Sequence, residues 1–398
     1  MIYKKSALNV ILLVLFSAIR YGAIAFSYSL LSIEDVGRIN AILTFVTTIT
    51  FFAGFEAHQV VNRPLLTGKT NVIRYGLDRQ FSALVCIFLC SFSSQFILTK
   101  GNFDHLLQLV FFASILEYLS LEAGRLLVIK GSYLFATTSS FLRSISPYFS
   151  IFIGFTSLES MLISWVVGAF CVLLCQAFVL IRSRHFSLSI CCLERSEYIA
   201  ILHFFVAGVS MASLPSLERW LINGYYSPVI LGQYALSVTL TSVCSVFLQG
   251  FIWQPFIKRV VVMLGDPLRR AYISRVLIGV TSLVYLFAFV IFYLFSNELM
   301  SMINKPPIPL PMVAGVFILG LAKSLYTLLF YCFYATNRER RLHSLQFLLA
   351  AIIFLFLIAG SKSDFDAGIL VGATGIAWIM LILFYLFRWL NIDLVANP

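Results

Sequence analysis

The chain has 398 residues, of which 60% are hydrophobic and only 11% charged, with a net charge of +11 and a mean hydropathy of +0.95. So little charge cannot cover a soluble domain of this size, and apolar runs of roughly 18 to 25 residues recur along the whole length, matching helices that cross a hydrocarbon layer of about 30 Å. The short alternating segments of a β-barrel are missing, and the basic residues are scattered among short loops instead of gathered on one stripe, which argues against nucleic acid as a partner.

The first predicted span covers about residues 7–31. Lys4 and Lys5 before it could serve as the charged start of a signal peptide, but the apolar stretch is too long for one and Arg20 interrupts it, so it reads as a retained span. Arg20 falls in the segment SAIRYGAIAFSYSL. A charge at the centre of a membrane helix costs about 2.5 to 3.5 kcal/mol on insertion scales, so its presence asks for a reason.

The second span, about 39–62, follows the turn LLSIEDVGRINAILTFVTT and carries Glu56 and His58 toward its inner end. Spans three to six cover about 80–99, 106–129, 133–155 and 161–181; Glu117, Glu122 and Arg125 lie in the fourth, Arg143 and Pro147 in the fifth. Spans seven to twelve cover about 198–222, 234–257, 276–296, 310–334, 344–361 and 367–390. His203, Pro215, Glu218 and Arg219 lie in the seventh, Pro255 in the eighth and Lys323 in the tenth. His203 reads as structural.

Eight cysteines are present, among them Cys86/Cys90 and Cys171/Cys175 at i,i+4 spacing, Cys244 and Cys332 within spans, and the pair Cys191–Cys192 in a basic loop. They lack nearby histidine or carboxylate partners, so they read as small buried residues and no metal is expected. Nor is there a nucleotide-binding loop, so no cofactor and no enzymatic chemistry is expected.

Charge alternates between the loops. One set, with both termini, holds 19 of the 28 Lys and Arg, among them Arg74, Arg182, Arg269 and Arg338, whereas the opposite loops hold only Arg38, Lys100, Lys305 and Lys362. The positive-inside rule then puts both termini in the cytoplasm. The loops are short, and the longest outward one runs over about 297–309.

The turn into span eight reads YYSPVILGQYALSVTLTSV. Its Ser227 and Gly232 align with Ser32 and Gly37 at an offset of 195 residues, close to half the chain. This S-x4-G repeat predicts a duplication, with a six-helix lobe over 1–190 and another over 191–398, parallel repeats related by a pseudo-two-fold axis along the membrane normal. Gly37 and Gly232 are expected at helix starts, where a tight entry favours glycine. Two such lobes enclose a cavity, the plan of a secondary transporter.

Five cations remain within the spans: Arg20, Arg125, Arg143, Arg219 and Lys323. Four acids accompany them: Glu56, Glu117, Glu122 and Glu218. Glu122 and Arg125 are i,i+3 on one helix, Glu117 lies two turns before Arg125 on nearly the same face, and Arg219 is close enough to the outer end to snorkel. Glu218 is next to Arg219 and so points elsewhere. Arg20, Arg143 and Lys323 have no acid within four residues in their own spans, which leaves pairing between helices or a wet cationic cavity suited to an anionic cargo. Pro147 lacks the N–H that would bond the Arg143 carbonyl, and Pro215 lies one turn before Arg219, so both helices should bend near a charge; Pro255 bends span eight or packs it. Glu56, Glu117, Glu122 and His58 are the candidates for carrying a coupling proton, with a solvated group at the inner interface as the other reading of Glu56 and His58.

The order of basic N-terminus, span, S-x4-G and span ending in a basic loop resembles the polysaccharide flippases of the Wzx (O-antigen) type in the MOP superfamily of multidrug, oligosaccharidyl-lipid and polysaccharide exporters. The stretch LERWLINGYYSPVILGQYALSVTLTSVCSVFLQGFIWQPFIKR looks most like them. The span count and duplication extend the likeness over essentially the full length, with sharp motifs only over about 30–68 and 217–260; Arg38-Ile39 departs from the more usual aromatic after the first glycine. The resemblance implies an all-α, polytopic, MATE-like fold of about twelve spans in a bacterial inner membrane. It also implies a lipopolysaccharide or other polysaccharide-biosynthesis role: moving an undecaprenyl-diphosphate-linked oligosaccharide from the cytoplasmic to the periplasmic leaflet by ion-coupled alternating access. Arg20, Arg143 and Lys323 would then hold the diphosphate, with Arg125 and Arg219 as further cations of the binding set, and other membrane proteins of polysaccharide assembly would be partners. The rival readings are a multidrug exporter of the same superfamily, a membrane polysaccharide polymerase, which should carry a large outward loop, and a multi-span acyltransferase, for which only His58 could serve.

Overall fold

The computed structural model describes residues 2–54, 73–76, 83–85, 87, 104–129, 132–182, 186–189, 218–219, 221–222, 224–248, 260, 262–335, 342–361 and 366–396. Among these, α1 covers Ile2–Leu30, α2 Ile33–Gly54, α3 Asp104–Ile129, α4 Tyr133–Ile145, α5 Phe149–Phe152 and α6 Leu158–Ile181. In the second half α7 covers Pro228–Leu248, α8 Pro267–Met302, α9 Leu310–Ala335, α10 Leu342–Ser361 and α11 Ala367–Ala396. The fold is nearly all helical, as expected. Five described helical stretches are long and apolar enough to cross a membrane: Leu158–Ile181, Pro228–Ser245, Arg269–Met302, Leu310–Phe333 and Ala367–Leu390. Large apolar side chains such as Phe178, Phe287 and Phe387 are exposed along them, as lipid contact requires.

Two features depart from a purely helical reading. Strands β1, Ile73–Gly76, and β2, Phe186–Ser189, pair in parallel with Arg74 opposite Ser187. They lie in the segments expected to be loops after spans two and six. Cys171 and Cys175, expected to be buried, lie on an exposed face of α6, while Cys244 and Cys332 are buried.

The chain divides into two compact units, one of residues 1–15, 28–41 and 213–398 and the other of residues 16–27 and 42–212. In the first unit α9 and α11 pack backbone to backbone. A Cβ on Gly315 would strike the Gly368 carbonyl and stand 2.9 Å from the Gly372 nitrogen, and one on Gly375 would stand 2.8 Å from the Leu319 nitrogen. Without side chains at these positions the helices gain close van der Waals contact, which is what holds helices together in lipid. α10 joins the pair through Gln346 Nε2, which donates to Tyr326 Oη at 2.6 Å, and through Trp378 Nε1, which donates to the Leu349 carbonyl at 3.1 Å.

The two S-x4-G turns also lie in this unit. Ser32 caps α2, its Oγ accepting from Asp35 N at 3.1 Å, and Ser227 caps α7 through a longer 3.4 Å bond from Ile230 N. The helices start at Ile33 and Pro228, so Gly37 and Gly232 sit in the second turn, past the entry where the sequence reading put them. What requires glycine there is close approach. A Cβ on Gly37 would be 2.6 Å from the Pro228 carbonyl oxygen and 3.0 Å from Gly232 N, and one on Gly232 would strike the Ile33 carbonyl oxygen.

In the second unit α3 lies along α6, joined by a buried polar chain. Ser120 Oγ donates to Gln176 Oε1 at 2.9 Å, and Gln176 Nε2 donates to Ser139 Oγ on α4 at 3.0 Å. The middle of α1 stacks on α4 and α5 through Phe16–Phe141 and Phe26–Phe152, with ring centroids 4.4 and 5.5 Å apart.

Candidate functional site

At Pro147, where a bend was expected, the α-helix is interrupted by a 3-10 turn. α4 stops at Ile145, a 3-10 turn runs Ser146–Tyr148, and α5 resumes at Phe149. The Arg143 carbonyl that Pro147 cannot bond accepts instead from Ser146 Oγ at 2.8 Å. The Ser146 carbonyl in turn accepts from Ser164 Oγ at 2.7 Å. The bend is thus satisfied by hydroxyls and held by α6, which approaches so closely that a Cβ on Gly168 would strike Ser146.

This bend holds Arg143 opposite Glu117 of α3. Arg143 Nε lies 3.2 Å from Glu117 Oε1, and the two side chains are only 12% and 10% exposed. Trp165 Nε1 donates to the other oxygen at 3.4 Å, and the charge of Arg20 also acts on Glu117. Arg20 itself is exposed. The sequence put Glu117 on nearly the same face as Arg125. In the folded unit Glu117 turns to Arg143, and Arg125 takes Glu122, as their i,i+3 spacing suggests, with Nη1 2.5 Å from Oε1. Among the alternatives open for Arg143, pairing between helices is therefore realised.

A second charged group lies in the other unit. Glu218, almost wholly buried, reaches Lys323 of α9, and Lys323 Nζ donates to Glu218 Oε1. Tyr234 Oη donates to the same oxygen at 2.9 Å, and Arg219 acts on that phenol and on Lys323. Glu218 Oε2 is buried and takes no hydrogen bond from the described residues. The Lys323 side chain keeps 27% of its surface exposed. Here too pairing crosses between helices, so the sequence spacing that left Lys323 without an acid could not reveal it.

Glu56, His58, His203, Pro215 and Pro255 lie outside the described residues. Trp165 and Tyr234 were missed by sequence reasoning: one tryptophan and one tyrosine among 62 aromatics carry no sequence signal that they face a carboxylate.

The two groups share one chemical design. Each is a buried carboxylate with an aromatic N–H or O–H donor and more than one cation within electrostatic reach. Such a cluster can surrender a cation to an incoming anion without leaving a fully uncompensated charge behind.

No family profile and no curated protein matches the chain. Solved structures do match over nearly its full length. An inward-facing multidrug-resistance MATE transporter of the MOP superfamily is 12% identical, with a TM-score of 0.66, covering 96% of this chain and 98% of its own. An outward-facing multidrug-resistance MATE transporter of the same superfamily gives 12% identity and a TM-score of 0.61, covering 96% and 94%. A MOP-superfamily transporter from Pyrococcus furiosus, whose reversed binding-pocket polarity suggests a different function, gives 10% identity and a TM-score of 0.55, covering 97% and 95%. The chain therefore has the fold of the MOP-superfamily membrane transporters, in its MATE form.

Proposed function

We propose that this protein is a flippase for a lipid-linked oligosaccharide, moving an undecaprenyl-diphosphate-linked glycan across a bacterial inner membrane by alternating access. The observation that carries this reading is the charge of the two buried groups. Arg20 and Arg143 surround one carboxylate, Glu117, and Arg219 and Lys323 surround another, Glu218. Keeping cations in excess within a membrane is expensive, and an acidic cargo explains it. Guanidinium and ammonium groups are the natural ligands of phosphate oxygens. The inward- and outward-facing states known for this fold supply the two ends of the cycle. Arg125 is a further cation of the set, and Glu117, Glu122, Glu56 and His58 are the candidates for proton coupling. Both termini lie in the cytoplasm and the lobes divide near residue 190 on this reading, with other polysaccharide-assembly membrane proteins as partners.

The test is complementation of a bacterium lacking its own exporter of lipid-linked glycan. The wild-type chain should restore surface polysaccharide, and Arg143→Ala should not, while inserting at a normal level. Normal surface polysaccharide with Arg143→Ala would remove Arg143 from the binding set.

A second reading, a multidrug exporter, is favoured by the multidrug transporters among the structural neighbours. It predicts cation-drug resistance in cells expressing the chain, and no dependence of surface polysaccharide on it.

A further inference from the structure

The group around Glu218 holds an acid for which the reading above has no task. Glu218 is 1% exposed, and its Oε1 receives both Lys323 Nζ and Tyr234 Oη while its Oε2, also buried, receives no hydrogen bond from the described residues. Half of the carboxylate's acceptor capacity is unused, and a carboxylate built only to neutralise Lys323 would have both oxygens bonded. Lys323, by contrast, keeps 27% of its side-chain surface exposed while Glu218 is enclosed. Its three donors suit phosphate oxygens as well as a carboxylate. Arg219 adds a second positive charge beside the same phenol and lysine. Among the described residues, the charged groups of this cluster are Lys323 from α9, bonded to Glu218, and Arg219, which acts on Lys323 and Tyr234, with Tyr234 from α7 as a neutral donor.

We infer that Glu218 is a built-in stand-in for the acidic headgroup: it occupies Lys323 when no cargo is bound, and the diphosphate of the cargo displaces it. This rests on the flippase reading and adds a specificity-determining residue to it. The stand-in sets a threshold. A cargo with a single weak anionic group competes poorly with a carboxylate already desolvated against the lysine, whereas a diphosphate offers several charged oxygens to Lys323 and Arg219 together. Glu218 thereby selects for phosphate-rich headgroups over neutral lipids and single carboxylates.

The experiment measures binding of farnesyl diphosphate to the purified full-length protein in detergent, with farnesol as the uncharged control. Glu218→Gln keeps an acceptor for Tyr234 and removes the competing charge, so it should bind farnesyl diphosphate at least about tenfold more tightly. Lys323→Met should weaken binding at least tenfold, and Glu218→Gln with Lys323→Met should bind no better than Lys323→Met alone. Tyr234→Phe loosens Glu218 without touching its charge and should tighten binding a few-fold, which keeps the test available if Glu218→Gln does not fold. Tight binding by the wild type with unchanged or weaker binding in both Glu218→Gln and Tyr234→Phe would overturn the stand-in role alone. Farnesyl diphosphate binding no better than farnesol in the wild type and in every variant would overturn the headgroup reading and the stand-in with it.

Discussion

Gly37 and Gly232 meet backbone to backbone. A Cβ on Gly37 would lie 3.0 Å from Gly232 N, and one on Gly232 would strike the Ile33 carbonyl oxygen. The two residues hold the same position in the two S-x4-G turns, so the repeated motif marks the place where its own two copies touch. Serine caps each helix, and glycine four residues into the helix lets the other turn approach.

Substituting either glycine should therefore act through packing. Gly232→Ala places a methyl against the Ile33 carbonyl and Gly37→Ala one against Pro228; overpacking of this kind costs about 1–3 kcal/mol. Each variant should melt several degrees lower in detergent, and the double variant lower than either alone. A melting temperature equal to wild type for Gly232→Ala would refute the contact.

Arg143 and Glu117 should behave as a coupled buried pair. Arg143→Ala leaves Glu117 buried without its nearest cation, a change that costs about 3–5 kcal/mol where such pairs are broken. Adding Glu117→Gln should return much of that loss, because no charge is then stranded. A double-mutant cycle on melting in detergent reads this directly, and additive losses would mean that the two side chains do not interact in solution.

The bend at Pro147 sets where Arg143 sits. Pro147→Ala restores an N–H able to reach the Arg143 carbonyl and removes the ring clash, so α4 and α5 should merge into one helix. The expected outcome is a stable protein that has lost the Arg143–Glu117 contact and transports poorly. Ser146→Ala, which only removes the hydroxyl bonded to that carbonyl, should leave the bend in place and cost about 1 kcal/mol. A structure of Pro147→Ala with the bend unchanged would show that α6 packing, not proline, creates it.

Lys305, in the loop between α8 and α9, donates its ammonium to the Leu31 carbonyl at the end of α1. Burial lowers its pKa from the ordinary 10.5. The folded chain then sheds this proton at lower pH than the unfolded chain, which binds more protons in the window between the two values, so stability rises with pH there. Wild type should gain melting temperature relative to Lys305→Met as pH rises toward 10.5. A constant difference between the two over that range would show that Lys305 is not buried in solution.

The charge pattern shows how far sequence reasoning could reach. Glu122 with Arg125 was legible because a helix places i,i+3 residues side by side. Glu117 with Arg143 and Glu218 with Lys323 were not, since those partners stand 26 and 105 residues apart and meet only when separate helices pack. The bend at Pro147 was legible because the missing N–H is local, whereas its repair by Ser146 and Ser164 was not, because the second hydroxyl comes from α6.

Composition alone fixed the solvent of this protein. A chain this apolar and this poor in charge can bury its surface only in lipid, and lipid forces its backbone into helices whose lengths follow the apolar runs. The motif S-x4-G and the cations within the apolar runs were likewise written in the sequence. Which carboxylate each cation faces, which glycines touch and which oxygen is left unbonded were decided by helix packing, because these are distances between segments far apart in the chain and no local pattern encodes them.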